Sequence, residues 1–200
     1  DNSVYQVMPR AVLQPRERDD INVIMELAGR AEFRKVKITP RGGGTGTNGQ
    51  SLNNTVIVDT SKYLNNILEF DAEKGLVRVE PGVVLEQLNR WLKPHGYFFP
   101  PNVSTANRAT VGGMIGSDSS GKGSRIYGKT SHYIEKMTTV LVDGSDFVTS
   151  ALNAEQTAIE AAQKTRIGSV YRKIIDEILP RRDQIKSTFP EMNRGLTGYN

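Results

Sequence analysis

Cysteine is absent from all 200 residues, which excludes disulfides, thiolate zinc sites, iron–sulfur clusters and a cysteine nucleophile. Histidine is nearly absent. His95 and His132 stand alone, without a carboxylate at metal-ligand spacing, so no metal site is expected. No apolar run approaches the roughly 18 residues that span a bilayer, and no secretory hydrophobic segment opens the chain. The cytoplasm is the expected location, with peripheral attachment to the inner membrane as a variant. A strong excess of one charge is also missing, because the net +4 is spread along the chain. Arg30, Arg34, Lys35, Lys37 and Arg41 are close in sequence but lack the aromatic platforms of a nucleic-acid surface, so no nucleic-acid partner is expected. With 37% hydrophobic and 24% charged residues, the chain reads as ordinary globular protein, long enough for one domain or two small lobes.

What the chain has in plenty is glycine, concentrated in Arg41-Gly42-Gly43-Gly44-Thr45-Gly46-Thr47-Asn48-Gly49. A loop this glycine-rich loses much conformational entropy on ordering, and it lets backbone approach a ligand closely. Successive N–H groups form an anion-binding concavity, to which Thr45, Thr47 and Asn48 add donors and the nearby basic residues add charge. A phosphate is the expected ligand. The segment from Gly44 to Gly49 matches the G-x-G-x-x-G of dinucleotide-binding βαβ units, which require a helix after the loop. Here only Gln50, Ser51, Leu52, Asn53 and Asn54 separate the loop from Thr55-Val56-Ile57-Val58-Asp59, which reads as a strand. The NAD-type reading is therefore rejected. A second decoy runs from Gly116 to Lys122, where a P-loop would continue with Ser or Thr but this chain has Gly123.

Taken in order, several segments together resemble one family. They are Arg41 to Gly49, Pro81-Gly82-Val83, Pro100-Pro101-Asn102-Val103-Ser104, Ala109-Thr110-Val111-Gly112-Gly113, Ser119-Ser120-Gly121 to Tyr127-Gly128, and Val142-Asp143-Gly144. The resemblance covers about residues 9–150 and is to the FAD-linked oxidases and dehydrogenases of the vanillyl-alcohol oxidase type, most of all the D-2-hydroxyacid dehydrogenase branch. It implies an α+β fold, a two-lobed PCMH-type FAD-binding domain with FAD between the lobes. The diphosphate would lie on Arg41, Gly42, Gly43, Gly44, Thr45, Gly46, Thr47, Asn48 and Gly49, and the ring near residues 104–113. Pro81, Gly82, Pro101, Ser104, Thr110, Gly112, Gly113, Ser117, Ser120, Gly121, Tyr127 and Gly128 complete the implied cofactor set. The family often carries asparagine where Ser119 or Ser120 stands. Members that attach FAD covalently use a histidine in an Arg-x-Gly-Gly-His-Ser pattern. Thr45 takes that place here, so non-covalent FAD is implied.

The implied reaction is hydride transfer from a small 2-hydroxyacid to FAD, leaving a 2-oxo acid, with substrate groups supplied by a cap domain beyond residue 200. No general base or electron acceptor is named within the segment. A binding module without turnover, a subunit whose catalytic half lies on another chain, and a UDP-sugar-pathway reductase of the same superfamily are the alternatives. Valine at Gly44, Gly46 or Gly112 is expected to abolish FAD retention and leave the fold intact.

The coarse layout is an edge strand at 9–15 and a helix at 16–30 whose stripe Ile21, Ile24, Met25 and Ala28 is expected in the core. Strands at 36–39, 55–59, 67–70 and 76–80 complete a first lobe, residues 9–80. The second lobe, 81–200, opens with a helix of Leu85, Leu88, Trp91 and Leu92, in which Trp91 is expected as a core anchor. It continues through a hairpin turned by Asp143-Gly144 and a helical insertion at about 151–180 that Pro180 ends. The tail Leu196-Thr197-Gly198-Tyr199-Asn200 reads as a chain cut short.

Overall fold

Val56–Asp59 (β3) is the strand around which the first part of the chain is built. The computed structural model describes residues 1–189. Ala11–Leu13 (β1) and Ile38–Arg41 (β2) flank β3, both parallel to it, and Ile57 and Val58 are buried between them. Prolines 9 and 15 bracket one edge strand and Pro40 lies within the other, positions where a missing N–H is tolerated. Parallel neighbours need a long crossover, usually helical. Here residues 42–55 make it without a helix, and the glycine loop is its first half.

Arg18–Gly29 (α1) starts at a capping box of Glu17 and Asp20. Its stripe is half-buried, with no residue fully enclosed, because it covers a distant turn: Asn22 Nδ2 donates to the Gly144 carbonyl at 2.9 Å, and Arg18 lies 3.4 Å from Asp146. Ile67–Asp71 (β4) and Leu76–Val79 (β5) form an antiparallel hairpin. Its side chains Ile67, Phe70, Val77 and Val79 pack on Leu85–Leu92 (α2), which buries Leu85, Leu88 and Leu92 at i, i+3 and i+7. Trp91 is not a core anchor. It is 38% exposed and stands edge-on to Phe70 at 5.3 Å.

Val111–Gly116 (α3) is a short helix that its glycines argue against. Tertiary bonds fix it instead: the N–H groups of Val111 and Gly112 donate to the carbonyls of Val83 and Pro81, at 2.8 and 2.9 Å. Val111 and Met114 are buried beneath it. Ser124–Tyr127 (α4) follows, and Met137–Val140 (β6) pairs antiparallel with Asp146–Thr149 (β7). The hairpin loop is longer than a two-residue Asp-Gly turn, since Leu141 and Ser145 close it through a 2.8 Å bond.

Ala154–Ala162 (α5) and Arg166–Lys173 (α6) start at the side-chain caps Asn153 and Thr165. The chain does not stop at Pro180. A π-helical turn, Ile174–Ile178, and a 3-10 turn with Pro180 at its start lead into Arg182–Thr188 (α7). No helix among the described residues is long and apolar enough to cross a membrane. The segment 196–200, expected to be a cut end, lies outside the described residues.

Candidate functional site

Between the glycine loop and α3 lies a cleft of about 370 Å³, within the usual range for ligand pockets. One wall grows out of β2. The Arg41 carbonyl accepts from the Thr60 N–H at 3.0 Å, fixing the point where the loop leaves the sheet. Gly42 and Gly43 then press against the opposite wall: a Cβ on Gly42 would stand 2.0 Å from Thr110 Oγ1, and one on Gly43 would stand 2.1 Å from the Arg108 carbonyl oxygen. No side chain fits there. Gly44 turns the loop at φ +62°, over the Arg41 guanidinium, whose Nη2 would lie 2.3 Å from a Cβ at that position.

The other wall is α3 with its flanks. Thr110 Oγ1 caps the helix by accepting from the Gly113 N–H at 3.3 Å. Gly112 packs on Pro81, where an added Cβ would stand 2.7 Å from the proline ring and 3.0 Å from its carbonyl oxygen. Past α3, Ser117 and Ser119 share a 2.7 Å hydroxyl bond facing the cleft. Asp118 between them has φ +41° and is buried, its carboxylate accepting from the Ser131 N–H at 2.9 Å and lying 3.6 Å from Lys129 Nζ.

The sequence-expected residues divide cleanly. Arg41, Gly42, Gly43, Gly44, Thr45, Gly46, Pro81, Thr110, Gly112, Gly113 and Ser117 line the cleft together. Thr47, Asn48 and Gly49 form the outer bend of the loop, where Asn48 N–H donates to Gln50 Oε1 at 3.1 Å. Gly82 backs the site, where an added Cβ would stand 2.3 and 2.5 Å from the carbonyl oxygens of Thr60 and Leu64, and Pro101 is wholly buried. Ser104 is exposed between Val103 and Thr105, which do line the cleft. Ser120 and Gly121 adjoin lining Ser119, with Gly121 packed on the Asn102 carbonyl. Tyr127 and Gly128 are not among the lining residues. Tyr127 stacks edge-on to Phe98 at 5.7 Å, and Gly128 abuts His132.

Sequence reasoning missed the lining residues Gln50, Ser51 and Thr60, because isolated polar residues carry no periodic signal; Thr105 and Ser119, which also line the cleft, fall within segments it named but were not singled out. It also missed residues 1–5, which it assigned to neither lobe yet which lie on the glycine loop: the Asn2 N–H donates to the Gly46 carbonyl at 2.9 Å.

Chemically, the cleft suits an anion. Among the described residues the N–H groups of residues 43–46 make no backbone hydrogen bond, and Arg41 Nε is buried without a partner. An orphaned buried donor costs about 1–3 kcal/mol, which a phosphate oxygen would recover. The glycine cradle and the unpaired donor fit the diphosphate of a dinucleotide. Among the described residues no group of three or more His, Asp or Glu side chains is placed to hold a metal.

Comparison with known proteins points the same way. Over all 200 residues the chain is 47% identical to the D-2-hydroxyglutarate dehydrogenase of Escherichia coli K12, covering 20% of that protein. It is 48% identical to the D-2-hydroxyglutarate dehydrogenase of Pantoea ananatis, again over the whole chain and 20% of the relative. It is 31% identical over 189 residues to the glycolate oxidase subunit GlcD of Bacillus subtilis, covering 92% of this chain and 40% of that one. The chain thus spans about a fifth of the length of the dehydrogenases it matches. The FAD binding domain family matches residues 9–150, which bears out the resemblance read from the ordered motifs, and the chain belongs to that family.

Proposed function

We propose that this chain is the FAD-binding part of a flavin-dependent dehydrogenase that oxidises a small D-2-hydroxy acid, of the D-2-hydroxyglutarate or D-lactate type, to the 2-oxo acid. The observation that carries the reading is the buried, unpartnered Arg41 Nε beneath a glycine cradle. Residues 43–46 would bind the diphosphate through their N–H groups, and Arg41 would neutralise it. The wall from Thr110 to Ser119 would receive the rest of the cofactor, with Thr110, Ser117 and Ser119 as hydroxyl partners. The outlying members of the implied set, from Thr47 to Gly49 and from Ser120 to Gly128, would shape the entrance. FAD is held non-covalently, since Thr45 stands where covalent attachment uses a histidine. When bound, FAD supplies the hydride acceptor.

The two lobes of a PCMH-type domain would meet at the cleft, 9–80 on one side and 81–200 on the other, with the helices from α5 onward as an insertion. The cleft running between residues 40–60 and 103–119 supports this division. The packing of the β4–β5 hairpin on α2 gives the lobes a shared apolar contact. Among the described residues Arg41 is the single titratable side chain lining the cleft, so the general base and the substrate-binding groups come from elsewhere in the whole protein, in a cap domain. The protein is read as cytoplasmic, with peripheral membrane attachment as the variant. The test is anaerobic addition of D-2-hydroxyglutarate or D-lactate to the full-length flavoprotein. Bleaching of the flavin absorbance by a D-acid and not by its L-enantiomer supports the reading, and no bleaching by any 2-hydroxy acid refutes it.

A further inference from the structure

Residues 1–5 touch the glycine loop at three points that the cofactor reading leaves unused. The Asn2 N–H donates to the Gly46 carbonyl at 2.9 Å, Ser51 Oγ donates to Asp1 Oδ2 at 3.2 Å, and the Tyr5 ring lies 3.1 Å from where a Cβ on Gly49 would stand. The other Asp1 oxygen accepts from the Ser3 N–H at 2.7 Å, which holds the carboxylate in place. Gly46 and Ser51 both line the cleft.

Gly42 and Gly43 are clamped by the opposite wall, whereas the support within the far half includes a 3.0 Å bond from Leu52 N–H to the Gly49 carbonyl and the Asn48–Gln50 contact. Fixing each residue costs about 1–2 kcal/mol of conformational entropy, and glycine costs the most. A segment that bonds the far half from outside lowers that cost before a ligand arrives.

We propose that residues 1–5 are a strap that pre-orders the far half of the glycine loop, with the Asn2 backbone and the Asp1–Ser51 pair as positioning groups. The proposal rests on the FAD reading for its ligand. Asp1 is not itself a phosphate ligand, because its negative charge would repel one; its part is to hold Ser51.

The test compares Asn2→Pro, which deletes the donor to Gly46, with Asn2→Ala, which keeps it and alters only an exposed side chain, in the full-length protein. Hydrogen exchange of residues 44–51 without cofactor is read first, then FAD affinity by flavin fluorescence quenching. Asn2→Pro is expected to speed exchange in the loop and weaken FAD binding about threefold to tenfold, the worth of one hydrogen bond, while Asn2→Ala matches the native protein. Ser51→Ala should move both readouts the same way, and thermal unfolding of each variant checks the fold. Native-like exchange in both Asn2→Pro and Ser51→Ala overturns the strap. Faster exchange with unchanged FAD affinity overturns the positioning role. If the native protein binds no FAD, the FAD reading fails, and the exchange readout still decides whether the strap orders the loop.

Discussion

Gly43 and Gly112 stand on opposite walls of the cleft, and each is pressed on protein: Gly43 on the Arg108 carbonyl, Gly112 on Pro81. Gly44 and Gly46, a few residues along the first wall, meet only the ends of flexible side chains, those of Arg41 and Gln50. The same residue type therefore serves two purposes within one site. At the base of the loop and in α3 glycine lets two backbone segments close on each other, and at the tip it leaves room for something else. A glycine-rich stretch in a sequence reports close approach, but not what approaches.

The largest effect that follows is on the packed glycines. Gly112→Val drives a branched side chain into Pro81 and is expected to lower stability by about 3 kcal/mol, the upper end for overpacking, as read by urea denaturation. The expectation that this substitution would leave the fold intact is thus corrected, because the space beside Gly112 belongs to Pro81. Gly43→Ala should behave alike, losing about 1–3 kcal/mol against the Arg108 backbone and shifting the urea midpoint downwards.

Gly44→Ala is intermediate. Its φ of +62° adds about 1–2 kcal/mol of backbone strain, and the new methyl displaces the Arg41 guanidinium, so FAD affinity measured by equilibrium dialysis should fall more than stability does. The smallest change in stability belongs to Gly46→Ala, where only the Gln50 side chain must move. Its melting temperature should stay near native while FAD binding weakens. Equal losses of stability at Gly46 and Gly112 would erase the distinction between the two kinds of glycine.

How much of this was legible in the sequence depends on where the information lies. The strands and α1 were readable because alternation and the spacing of Ile21, Ile24, Met25 and Ala28 are local signals. Helix α3 was not, since Val-Gly-Gly-Met-Ile-Gly has poor helix propensity and is held by the carbonyls of Val83 and Pro81, which lie about thirty residues earlier in the chain. Helix α7 was hidden behind Pro180, which reads as a stop but opens a 3-10 turn at a position where its missing N–H costs nothing. In the site, the glycine loop announced itself by composition. Ser51 and Thr60 did not, because each reaches the cleft through folding, as Asn2 reaches the loop it bonds to.

Those two kinds of glycine, and the buried Arg41 donor between them, converge on one claim: the cleft binds FAD by its diphosphate. The most direct measurement is to mix the purified protein with FAD, remove free cofactor by gel filtration and record the visible spectrum of the protein peak, for the native chain and for Arg41→Met. The account predicts a structured flavin spectrum in the native peak, released entirely into the supernatant by acid, and a clear loss of retained flavin in Arg41→Met. A native peak without flavin, or equal retention by a folded Arg41→Met protein, would contradict it.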